Sequence, residues 1–164
     1  MDLVLDLQLV TGEAPAPAES DLARWAEAAL EGRRARAELT IRVVGREEGR
    51  ALNRRYRGPD RPTNVLSVPF ELPAGMGADD PFPDIVGDLL GDLVICAPVV
   101  QDEAREQGKP EAAHWAHLVV HGVLHLLDYD HVTDEGAVQM EALETAIIQG
   151  LGFPPPYEED PTDP

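Results

Sequence analysis

Three histidines close the most chemically informative segment of the chain. His121, His125 and His131 stand in HGVLHLLDYDH with the spacing H-x3-H-x5-H. Residues four apart on a helix share a face, their Cβ atoms about 6 Å apart, so His121 and His125 can grip one ion. His131 lies beyond that helical turn, and the chain must bend back near Asp128, Tyr129 and Asp130 to deliver a third nitrogen. Three neutral imidazoles with an open fourth position are the ligand set of a catalytic zinc, although imidazole also suits nickel, copper and iron. Zincin proteases share the first two spacings but need a glutamate base directly after the first histidine. Here that residue is Gly122. The spacing predicts a hydrolytic metal site without the protease base, and a zinc peptidase would need a distant acid such as Glu103 or Glu106.

The segment 111–127 that carries this motif is the longest apolar-rich helical stretch, and His114, His117, His121 and His125 fall on one face of it. By spacing alone His117 with His121 is as good a pair as His121 with His125. His131 favours the second pair, because the ligating end of the helix should lie near the turn that returns it. His114 and His117 are then expected beside the metal or facing substrate. Asp130 adjoins the third ligand, where a carboxylate can fix a histidine tautomer or simply serve the tight bend.

The elements that must position these residues can be read from periodicity. Strands are expected over 3–10, 38–44, 65–70 and 87–95, and helices from Ser20 to about Gly32, over 46–56, from Pro98 to Gln107, over 111–127, and from a Thr133 cap to Gln149. Gly108 and Gly150 are expected to end their helices. Four strands and about five helices without regular alternation indicate an α+β fold. The expectation is a single domain over 1–153, a small four-stranded mixed sheet packed with the helices, with the histidine-bearing helix at its centre. Pro and acidic residues in 154–164 point to a disordered tail.

At 164 residues and 43% hydrophobic content, the chain can bury a real core. The formal charge of −18 argues against a generic grip on nucleic acid, and a DNA partner is not expected. The charge is unevenly spread. Eleven of the 13 basic residues are arginines between Arg24 and Arg61, against six acids, whereas 62–164 has two bases against 20 acids. One end of the fold can therefore meet phosphate. The single cysteine, Cys96, in the apolar run LVICAPVV, is expected to be packed in a strand and to suit a reducing compartment. The acidic start MDLVLDLQLV is unlike a signal peptide, and no apolar run approaches the roughly 18 residues of a membrane span. A cytoplasmic protein without a membrane partner is expected.

Three ordered motifs resemble the YbeY (UPF0054) family of bacterial endoribonucleases. HGVLHLLDYDH resembles the family's HGxLHLxGYDH, PTNVLSVP (62–69) its PTDVLSFP, and LGDLVI (90–95) its LGDIVI, while YRGPDRPTN places Arg57 at a functional arginine of the family. The resemblance implies one zinc held by His121, His125 and His131, and an α+β fold. It also implies single-strand-specific RNA cleavage in 16S rRNA 3′-end maturation and ribosome quality control, with rRNA and small-subunit proteins as partners. Arg57 would then touch the RNA phosphate. The chain departs from the pattern at Asp128 (glycine in the family), Asn64 (aspartate) and Val68 (phenylalanine). In metal-assisted phosphodiester cleavage, Ser67, Asp130 and His114 are candidates for the general base. A non-catalytic ribosome-associated zinc protein is the competing reading.

Overall fold

Leu3, Leu5 and Leu7 alternate with Asp2, Val4 and Asp6, and this two-residue period makes a strand with one apolar face. The computed structural model describes residues 1–70, 88–129 and 133–157. Its strands are β1 (Asp2–Leu9), β2 (Arg36–Val44), β3 (Val65–Pro69) and β4 (Leu89–Cys96). They are interspersed with α1 (Glu19–Leu30), α2 (Arg46–Tyr56), α3 (Ala97–Gln107), α4 (Glu111–Leu126) and α5 (Asp134–Gly150). The sheet order is β1-β2-β4-β3, with β1, β2 and β4 mutually parallel and β3 antiparallel to β4 at the edge. This is the mixed-sheet α+β fold expected from the sequence.

β4 is buried on both faces, which explains its unbroken apolar run. Leu93 and Ile95 join Leu39, Ile41 and Val43 of β2 in the main core, against α1 and α4. Val94 and Cys96 face the other way, into a smaller cluster with Val44 and Leu66, where Leu52 of α2 also packs. Cys96 is buried, as expected of it. α4 is the central helix, with Val119, Val120, Val123 and Leu124 sealed in the main core. No helix among the described residues is long and apolar enough to cross a membrane.

Two helix ends differ from the sequence expectation. Ser20 lies inside the first turn of α1, which starts at Glu19 after Ala18, since Glu19 and Asp21 complement the helix dipole there. α5 continues through Gly150, and the left-handed residue is Gly152, a shift that brings Phe153 edge-on to Trp25 at 6.2 Å. Thr133 caps α5 as expected, accepting from the Gly136 N–H at 3.0 Å.

α4 ends in a Schellman motif. The Tyr129 N–H reaches the Leu124 carbonyl and the Asp128 N–H the His125 carbonyl, each at 3.0 Å, with Asp128 at φ 72°. An L-residue carries a penalty of about 1 kcal/mol in this conformation that glycine avoids. Asp128→Gly should therefore raise the melting temperature by about 2–4 °C in a thermal scan. An unchanged or lower midpoint would show that the aspartate is compensated.

Candidate metal centre

The helical period of α4 lays its imidazoles side by side. Ring centroids are 6.5 Å apart from His114 to His117, 6.0 Å from His117 to His121, and 4.5 Å from His121 to His125. The Nε2 atoms of His121 and His125 converge to 3.0 Å. Ligands at about 2.0–2.1 Å from one zinc cannot be more than about 4 Å apart, and this pair meets that condition.

Behind the row stands Glu144 of α5, whose side chain is 0% exposed. One carboxylate oxygen accepts from Nδ1 of His121, and the other from Nε2 of His117 at 3.2 Å and from the Tyr157 hydroxyl. Burial pushes the Glu144 carboxyl up, but the hydrogen bonds from His117, His121 and Tyr157 outweigh it and hold the group at about 2. It is an anion at neutral pH and can only accept, so its three partners donate. Burial and the adjacent carboxylate push Tyr157 up, keeping its hydroxyl protonated.

Two metal arrangements are open to these groups. His117, His121 and Glu144 offer ligand atoms within 4.8 Å of one another and can hold an ion. Alternatively His121 and His125 present their Nε2 atoms, with Glu144 as the outer carboxylate that fixes the His121 tautomer. Both use His121. The tautomer of His117 decides between them. Burial lowers its pKa, so it is neutral with one N–H. Ligation through Nε2 would drive that proton onto Nδ1, which is buried without a hydrogen-bond partner. An unsatisfied buried donor costs about 1–3 kcal/mol. With Nε2–H on Glu144, Nδ1 keeps only a lone pair, and the His121/His125 arrangement leaves every N–H of His117 and His121 satisfied. The donor set, imidazoles backed by a carboxylate, suits zinc.

His131 and Asp130 lie outside the described residues. His114 is buried and donates through Nε2 to Glu103 at 2.9 Å. Glu103 also receives the Asn64 amide at 3.0 Å. Burial pushes Glu103 up, but these two bonds prevail and hold it below the usual carboxylate range. The Asn64 departure is thereby explained, since an aspartate would set a second carboxylate against Glu103. Ser67 donates to the Gly122 carbonyl at 3.3 Å, beside His121. Arg57 caps the C-terminal end of α2, exposed, and among the described residues no hydrogen bond or ion pair joins its side chain to a histidine. Gly122 faces the sheet: a Cβ there would lie 2.7 Å from Leu93 Cδ2. A side chain at 122 would have to displace the buried Leu93 side chain, so this position of the helix faces the core.

Glu144 and Tyr157 escaped the sequence reading. A signal for Glu144 exists: Met140, Glu144 and Ile148, four apart, are the buried residues of α5, a carboxylate in an apolar stripe. Tyr157 falls in the tail expected to be disordered, yet its ring also meets His117 edge-on at 5.3 Å.

The family model described as Endoribonuclease YbeY matches residues 12–152, which hold β2 to β4 and the five described helices. Among solved structures the chain is similar to TM1509 from Thermotoga maritima, determined in solution. The identity is 21% and the TM-score 0.57, over 98% of this chain and 100% of that one. At that identity the likeness is one of fold.

Proposed function

The chain belongs to the YbeY endoribonuclease family, and from that premise we propose that it is a zinc-dependent endoribonuclease cleaving single-stranded RNA. Its place is in 16S rRNA 3′-end maturation and ribosome quality control in the cytoplasm, with zinc held by His121, His125 and His131. The observation that carries this reading is the convergence of His121 and His125 Nε2 at 3.0 Å with the Glu144 carboxylate behind. A zinc ion held there supplies Lewis acidity and a nucleophile at neutral pH.

The chain's own residues supply the rest. The seven arginines from Arg42 to Arg61 divide into two groups. Arg42, Arg46 and Arg50 are paired with Glu48, Asp102 and Asp60 at 2.6, 2.6 and 3.3 Å. Arg54, Arg55, Arg57 and Arg61 are exposed and have no ion pair among the described residues. Positive charge thus collects where α2 ends, on a chain whose formal charge is −18. In this reading Arg57 binds the phosphate with its planar donors and stabilises charge growing in the transition state. His114 is committed to Glu103 and Ser67 to Gly122, so both position neighbouring groups and Asp130 is the proposed proton acceptor. The acidic remainder suits an enzyme that docks on a small-subunit protein before it reaches RNA.

The test is cleavage of a labelled single-stranded fragment of the 16S 3′ end by wild type, His125→Ala and Arg57→Ala, with and without chelator. Chelator and His125→Ala should abolish cleavage. Arg57→Ala should slow it about 10²–10³-fold with an unchanged melting temperature, since its side chain has no ion pair or hydrogen bond among the described residues. Equal cleavage by all three proteins would sink the proposal.

A further inference from the structure

We propose that Tyr157 is a positioning residue of the histidine centre, acting through Glu144 to fix the His121 imidazole for metal binding. The inference rests on the metal site proposed above. Tyr157 lies outside residues 12–152, so nothing in the family match assigns it a role.

The geometry is direct. The Tyr157 hydroxyl donates to Glu144 Oε2, the oxygen that also receives His117 Nε2, while Oε1 takes His121 Nδ1. Its ring closes edge-on over His117 at 5.3 Å and interplanar 82°. Glu144 is buried completely, whereas Tyr157 is 37% exposed and forms the outer side of the cluster. A carboxylate with three donors has little freedom to rotate, and its orientation fixes that of the His121 ring. Removing the hydroxyl leaves Oε2 with His117 alone. Removing the ring also opens the buried carboxylate to water. Groups one bond removed from a metal ligand typically change affinity by about 10–100-fold.

Zinc affinity, measured by competition with a chromogenic chelator, is the readout. The proteins are wild type, Tyr157→Phe, Tyr157→Ala, Glu144→Gln and the Glu144→Gln/Tyr157→Phe pair, each checked for folding by circular dichroism. Tyr157→Phe should weaken zinc binding about tenfold, and Tyr157→Ala at least as much. In the Glu144→Gln background Tyr157→Phe should have almost no further effect, because the tyrosine acts through that carboxylate. Two outcomes overturn the inference: zinc affinity in both Tyr157 variants within twofold of wild type, or an undiminished Tyr157→Phe effect in the Glu144→Gln background. The first, with wild type still binding zinc, leaves the metal site standing. Absence of zinc binding by wild type would remove both.

Discussion

Glu144→Ala should lower the stability of the metal-free protein by about 3–5 kcal/mol, because it strips the acceptor from three buried or half-buried donors at once. His117 Nε2, His121 Nδ1 and the Tyr157 hydroxyl all lose their partner at the fully buried Glu144 position. For a chain of this length the midpoint of thermal unfolding should fall by about 10 °C. Glu144→Gln keeps the shape but puts an amide donor against at least one N–H or O–H, and should lose about 1–3 kcal/mol. The effect has a pH signature. The carboxyl lies at about 2 in the fold against an ordinary 4.5. Its contribution is therefore complete above the ordinary value and is lost as pH falls from about 4.5 toward 2. Urea unfolding of wild type and Glu144→Gln at pH 6, 4 and 3 should show the gap between them narrowing. A gap independent of pH, or a wild-type-like Glu144→Ala, would mean that this carboxylate is not held as an anion by its neighbours.

The second large effect separates the two metal arrangements. His125→Ala should weaken zinc binding by more than about 100-fold, beyond the 10–100-fold typical of residues that only orient a ligand. His117→Ala should fall within that smaller range. The asymmetry follows from the His117 proton, which has an acceptor on Nε2 and none on Nδ1. Calorimetric titration of zinc into both variants provides the comparison. If His117→Ala is the more damaging, the ion sits among His117, His121 and Glu144, and His125 belongs to the surroundings.

Much of the fold was legible because its signals are local. The two-residue period of β1, the apolar run of β4 and the arginine-rich α2 each declare their geometry within a few residues. The shared face of His117, His121 and His125 is equally local, being a property of successive helix turns, but the choice of a pair among them is not. Asp128 stands where the resembled family has glycine, and it adopts φ 72°, the left-handed conformation that glycine takes most easily. Helix ends are set less locally: that the chain turns left-handed at Gly152 and not at Gly150 goes with Phe153 meeting Trp25, more than 120 residues away in the chain.

The helix, its stripe of four histidines and the separation of charge follow from residue order alone, because helical periodicity and composition are properties of short segments. What each imidazole faces follows from packing. Glu144 reaches His117 and His121 from a helix more than 20 residues further on, Tyr157 comes from the tail, and Glu103 joins Asn64 to His114 across three elements. A carboxylate in an apolar stripe is ambiguous until its partner helix is in place, since burial alone makes it a liability and burial against N–H donors makes it an anchor. The distinction between ligand and neighbour therefore belongs to packing.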